Sequence, residues 1–320
     1  MTNATRIALA GEALIDLIAS PNGNFTPCLG GAVYNLARAL SRQGIGATYL
    51  NPLSSDRFGR LLAQQLCNDG VHLAYPDPIQ EVTSLAVVNL DETGHPNYAF
   101  YREGVADRQI SAATLNAACR ELNELDMVCT GALALDARDQ AHYLPWLQTQ
   151  KEAGRWVVVD ANLRPSVMPD LASYRAAIHQ TLALADIIKV SDEDLAHLDI
   201  PGASPVETAQ HLLHTTSAKL VALTLGEQGA WLFSSHGVSC FAREATHLTI
   251  ADTVGAGDSF LAGLLAALLR QNLDISSEQA IQQLLRHAIA SASLCVQEKG
   301  CVPPTWDQAQ AWTVAHPLNF

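Results

Sequence analysis

The chain has 320 residues, 48% of them hydrophobic and 16% charged, with a formal net charge of −13. Such a composition describes an ordered globular protein, long enough for one large α/β domain with a small appendage, and excludes a disordered chain. The negative balance argues against nucleic acid or an anionic membrane as partner, so an anionic ligand must be held by local features such as helix N-termini.

Residues 1–6 lead directly into a strand-like run and carry no secretory pattern. The longest apolar run, residues 260–269, falls well short of the roughly 20 residues a membrane span needs. Seven cysteines (Cys28, Cys67, Cys119, Cys129, Cys240, Cys295, Cys301) are scattered without metal-type spacing, as in a reducing compartment. His211 and His214 could share a helix face, but a pair alone is a weak metal signal. A cytoplasmic protein is expected.

In chain order, residues 7–10 form an apolar strand ending at Gly11, and Asp16 follows in residues 12–18. A parallel sheet delivers polar groups to its carboxyl edge in this way, although a surface aspartate on an edge strand would read alike. Gly30 and Gly31 then precede a helical pattern that stops at Gly44. The double glycine lets a small ligand approach the backbone, and Asn35 can both donate to and accept from a hydroxyl. Alone, that pattern is also common loop chemistry.

Residues 83–90 and 97–102 are two β-like runs joined by turn chemistry at 91–96, with no helix between them. They predict a small sheet outside the main one, with Arg102 either reaching a substrate or lying on the surface. Beyond Ser111 the chain alternates strands (127–130, 156–159, 187–190, 220–225) with helices (137–153, 170–184, 205–216). This is the pattern of a mostly parallel sheet with helices on both faces.

Strand ends carry the next polar groups. Asp160, Asn162 and Arg164 follow one strand, and Lys189, Ser191, Asp192, Glu193 and Asp194 follow another. The acidic trio suits Mg²⁺, which keeps most of its waters, and equally suits the positive end of a helix dipole. Thr224, Gly226 and Gly229 mark a glycine-containing turn. Asp252-Thr253-Val254-Gly255-Ala256-Gly257-Asp258 then runs into an apolar helix, and residues 277–296 form the last long helix.

A glycine-rich turn opening a helix makes an anion site, because the first N–H groups are unpaired and the dipole is positive there. A carboxylate would repel a phosphate that merely bound there. It makes sense as a base that takes a proton from a hydroxyl attacking a phosphoryl group, although Asp258 could also simply cap the helix.

Residues 252–263 resemble the second signature of the PfkB family of carbohydrate kinases, and residues 28–37 resemble the first. Residues 11–17, 160–165 and 189–195 are similar to bacterial fructokinases. The resemblance implies a ribokinase-like α/β fold over residues 1–320, with a β lid formed by about 13–29 and 82–106. It implies Asp258 as catalytic base, with Gly255, Ala256 and Gly257 as the anion hole.

On the same ground, sugar contacts fall to Asp16, Gly30, Gly31, Asn35, Arg102, Arg164 and Asp258. Nucleotide contacts fall to Asn162, Lys189, Ser191, Thr224, Gly226, Gly229, Gly257 and Ala288. Mg²⁺ is expected near Asp194 and Glu193 through water, and Asp252 stands where some relatives line a K⁺ site. ATP is the expected phosphoryl donor and fructose the expected acceptor, at its primary hydroxyl. The alternatives are 2-keto-3-deoxygluconate, ribose or a nucleoside, and a non-catalytic sugar-binding homologue. A homodimer through the lid is implied as well. Two positions depart from the family pattern: bulky Tyr34, expected in the sugar site, and Ser54, where glycine is usual.

Overall fold

In the computed structural model the described residues are 4–20, 22–90 and 96–319; the turn expected at 91–96 lies mostly outside them. The chain begins β1 (Thr5–Leu9), β2 (Leu14–Ala19), β3 (Phe25–Gly30), α1 (Ala32–Arg42), β4 (Gly46–Tyr49), α2 (Arg57–Asn68) and β5 (His72–Leu73). Then come β6 (Ser84–Leu90), β7 (Pro96–Tyr101), α3 (Ala112–Arg120), β8 (Met127–Gly131), α4 (Gln140–Glu152), β9 (Trp156–Asp160), α5 (Leu171–Leu184) and β10 (Ile187–Ser191). The rest is α6 (Asp192–Leu195), α7 (Pro205–Thr215), β11 (Leu220–Thr224), β12 (Ala230–Ser234), β13 (Ser239–Glu244), α8 (Ala256–Arg270), α9 (Glu278–Cys295), α10 (Trp306–Ala315) and β14 (Leu318–Asn319).

Ten strands form the main sheet in the order β14-β13-β12-β11-β10-β9-β8-β1-β4-β5. The pairs from β5 through to β11 are parallel, and β12 to β14 add an antiparallel end. Because the central strands are covered on both faces, they read as continuous apolar runs rather than alternating ones. Val158 and Ile187 pack on one side with α1, α8 and α9. Val157, Val159 and Ile188 pack on the other with α3, α4, α5 and α7. Connections from β1 run to both sides of the strand, so the order reverses there. Such a switch point leaves a crevice at the carboxyl ends of the strands.

The lid is a second sheet, in the order β3-β2-β6-β7. Its two central strands, β2 and β6, are parallel, with Leu14 opposite Ser84. Alternation puts Leu14, Asp16, Ala86, Tyr98 and Phe100 on one face. That face meets the main body, where Leu14 and Ala86 pack with Leu133, Phe100, Val167 and Met168.

Candidate active site

Helix α8 is apolar on every side. Each residue from Asp258 to Leu269 is buried, so the helix runs inside the molecule against α1 and α9. Its start is fixed by Gly255, the N-cap, in left-handed backbone with φ +79°. A Cβ at that position would come within 2.2 Å of Cys301 Sγ, so only glycine fits. No side chain caps this first turn, which leaves it open to an anion. Ala256 is partly engaged, its N–H donating to Thr253 O at 3.3 Å.

Asp258 is in that first turn and is 6% exposed. Asn35 Nδ2, from α1, donates to Asp258 Oδ2 at 3.0 Å and fixes the carboxylate's orientation. Asn35 Oδ1 is buried without a protein partner, an acceptor left for a donor in the site. Burial, with Asp160 adding like charge, raises the Asp258 pKa to about 7, while Lys189 and Asn35 pull the other way. A carboxylate poised there can accept a proton near neutral pH.

The lid supplies the opposite wall. Asp16 points from β2 across Gly30, where an added Cβ would sit 2.2 Å from Asp16 Oδ2. Burial raises the Asp16 pKa to about 6, partly offset by the Arg164 guanidinium. Tyr98, stacked on Phe100 at 5.8 Å between ring centroids, lies in the field of the same Arg164 and Asp16. Arg164 itself is half-buried, with Nη1 donating to the carbonyls of Asn162 and Leu163 at 3.1 and 2.8 Å. Asn162 holds a positive φ of 38°, which turns the chain at the end of β9.

Beside the start of α8, Lys189 Nζ donates to Asp160 Oδ1 at 2.8 Å, and both side chains are buried. Burial works against the Lys189 charge, but Asp160 and Asp194 outweigh it and hold the ammonium above its ordinary range. A Cβ on Gly257 would meet Lys189 Nζ at 3.2 Å, so this cation lies directly behind the first turn of α8. Thr224 ends β11, with Oγ1 donating to Val190 O at 3.4 Å. Gly226 and Gly229 turn into β12 with φ of 55° and 109°.

Several expectations need correction. Arg102 is not a free cation on the lid: it is 7% exposed, with Nη1 donating to Leu133 O at 3.2 Å and Nη2 3.7 Å from Asp107 Oδ2. Tyr34 faces away from the site into the core between α1 and α2, its hydroxyl donating to Leu62 O at 3.4 Å. It sits next to Asn35 in sequence, and one helical step rotates it by about 100°. Ala288 is wholly buried on α9 and offers a ligand no surface. Ser54 is buried, and its Oγ accepts from Asp56 N at 3.0 Å.

The acidic trio is mainly architecture. Ser191 and Asp194 form a capping box on α6: Ser191 Oγ accepts from Asp194 N at 3.0 Å, and Asp194 Oδ2 accepts from Ser191 N at 2.8 Å. Asp194 Oδ1 accepts from Leu163 N at 2.7 Å, and Glu193 is exposed. Among the described residues no three His, Cys, Asp or Glu side chains converge as a metal cage. The protein side chains alone therefore do not fit a divalent-cation site. Asp252 is a tie, accepting from Val254 N and Gly300 N, each at 3.0 Å. The sequence reading missed Glu12 and Tyr98, and it named Asp160 and Lys189 without their pairing. Ionisable residues next to buried apolar strands were the available signal.

The pfkB family carbohydrate kinase profile matches residues 4–308. A fructokinase of Rhizobium leguminosarum bv. trifolii is 34% identical over 271 residues, 83% of this chain and 81% of that protein. Among solved structures, a fructokinase from Xylella fastidiosa with bound ATP superposes with a TM-score of 0.84 at 24% identity, covering 97% of this chain and 98% of that one. The fructokinase from Vibrio cholerae in fructose, ADP and calcium ion bound form gives 0.79 at 25% identity, covering 97% and 99%.

Proposed function

The chain belongs to the pfkB family of carbohydrate kinases and is a phosphotransferase, and from that premise we propose ATP and fructose as its substrates. The γ-phosphoryl group goes to a primary hydroxyl, giving fructose 6-phosphate and ADP. The observation that carries this reading is Asp258: a buried carboxylate held by Asn35 at an uncapped helix start, with its pKa raised to about 7. It takes the hydroxyl proton as that oxygen attacks phosphorus. The N–H groups at Gly255, Ala256 and Gly257 and the nearby Lys189 ammonium offset the charge on the transferring group.

The sugar lies between Asp258 and the lid, where Asp16, Asn35, Gly30 and Arg164 offer donors and acceptors to its hydroxyls. A neutral sugar suits this wall better than a sugar acid. Asp16 would repel a carboxylate, and Arg102 is already committed to Leu133 O and Asp107. Nucleotide contacts are assigned to Asn162, Lys189, Ser191, Thr224, Gly226, Gly229 and Gly257. Asp194 and Glu193 would stand near Mg²⁺ only through water, and the ion would supply charge neutralisation at the nucleotide's phosphates. Asp252 is assigned to the neighbourhood of a K⁺ site.

The main sheet and the lid act as one kinase unit in the cytoplasm, and no described helix is long and apolar enough to cross a membrane. We assign a homodimer to the outer lid face, where Tyr101 is 62% exposed and Phe25 49%; a monomer by sedimentation would refute it.

The test is ADP release with MgATP against fructose, 2-keto-3-deoxygluconate, ribose, glucose, tagatose and nucleosides. Fructose is expected to give the highest kcat/KM. Preference for the sugar acid would reverse the substrate assignment and make Arg164 its carboxylate partner.

A further inference from the structure

Three of the four lid strands root in one buried polar cluster. Glu12 stands two residues before β2, Ser84 opens β6 and Arg102 follows β7. Asp107, in the 3-10 turn Ala106–Arg108, accepts from Ser84 Oγ. Its other oxygen is 3.7 Å from Arg102 Nη2. Asn51 ties the cluster to the main body, donating to Asp107 O at 2.7 Å and accepting from Gly11 N at 2.9 Å. Glu12 is 2% exposed, and Arg102 is the cation facing it.

Glu12 also reaches outside the cluster. Its Oε1 accepts from Ala32 N at 2.9 Å. Ala32 is the first residue of α1, whose N-cap is Gly31 and makes no side-chain cap. Glu12 therefore supplies, from a different element, the acceptor that this helix start lacks. Asn35 is in the same first turn, its N–H donating to Gly31 O at 2.9 Å, and its side chain holds Asp258. The second oxygen of Glu12 is buried without a hydrogen-bond partner. An amide in place of the carboxylate would thus keep the one bond that reaches α1.

We propose that Glu12 is a positioning residue for phosphoryl transfer: from the root of the lid it caps α1 and so sets the angle at which Asn35 holds Asp258. This rests on the reading of Asp258 as the base. A carboxylate serving only to anchor the lid would bond to lid partners, whereas this one bonds to the helix that carries Asn35.

The test compares Glu12→Gln with Glu12→Met. Both are uncharged and similar in length, and only Gln can accept from Ala32 N. The Met variant is expected to have a kcat about ten- to a hundredfold below Gln, with ATP KM alike in the two, because small misplacements near a reacting centre cost that much. Amides of residues 31–35 should exchange faster in the Met variant. Equal kcat in the two folded variants would overturn the proposal. Should Met fail to fold, Glu12→Asp takes its place, keeping the charge but withdrawing the oxygen by one methylene. Its kcat is expected well below that of Gln, and parity would overturn the idea. Asp258→Asn separates the two failures: turnover surviving that change sinks the reading of the base itself. Turnover lost there while the Glu12 variants match sinks only the role of Glu12.

Discussion

At the scale of single residues, Asp258 combines two demands that oppose each other. A base must be ionised to work, yet burial resists ionisation and raises its pKa to about 7. Activity should therefore fall as pH drops below about 7, and Lys189→Met should move that limb to higher pH by removing a cation that favours the charged form. A limb near pH 4 in kcat/KM would contradict the assignment. Asp258→Asn should lower kcat by about 10²–10⁴-fold while nucleotide and sugar still bind.

The same group affects stability with a definite sign. Its folded pKa lies above the unfolded value of about 3.9, so the folded state binds more protons in between, and stability declines as pH rises through that window. Asp258→Asn is thus expected to raise Tm at pH 8, with the gain vanishing near pH 4, as melting curves at the two pH values would reveal. Tyr34→Phe makes the contrasting case. It removes a hydroxyl bonded to Leu62 O, so it should cost about 0.5–1.5 kcal/mol in denaturant unfolding and leave the sugar KM alone. A changed sugar KM would return Tyr34 to the site. The helix start at Gly255 with Asp258 in its first turn was readable from sequence because that chemistry is local. The direction in which Tyr34 or Arg102 points was not, since it depends on packing between elements distant in the chain.

At the scale of elements, β8 to β11 and the helices α4, α5 and α7 lie within a few residues of where the periodicity places them, since buried parallel strands and amphipathic helices alternate cleanly there. The Ser191–Asp194 spacing shows where that reading divides. One pattern serves as a capping box and as an acidic cluster, and the two Ser191–Asp194 bonds, with that from Leu163 N to Asp194 Oδ1, make the structural role visible. Gly30 illustrates the reverse, a small residue whose role is spatial. Gly30→Ala should push Asp16 out of place and raise the fructose KM about ten- to a hundredfold, the worth of a charge-assisted hydrogen bond, with ATP KM nearly unchanged. An unaltered fructose KM would remove Asp16 from the sugar site.

At the scale of the whole molecule, the lid rests on the main sheet through an apolar seam of Leu14, Ala86, Leu133, Phe100 and Met168, and through Ile15, Leu17, Leu29 and Leu85, which pack with the main core. Sugar binding should slow amide exchange in β2, β6 and β7 and leave β12 and β13 as they were, since only the former close over the ligand. Exchange unchanged in the lid would mean that it does not move with the substrate.

The parallel pairing of β2 with β6 has a further consequence, for the order in which the chain folds. Between Leu14 and Ser84 the chain runs through β3, α1, β4, α2 and β5, so this pairing closes a long loop. Long-range parallel pairing of this kind forms slowly. All five tryptophans (Trp146, Trp156, Trp231, Trp306 and Trp312) lie outside the lid strands. During refolding from denaturant, tryptophan fluorescence should therefore reach its native value while the enzyme is still inactive, and the lag between the two signals would time the closing of this small sheet.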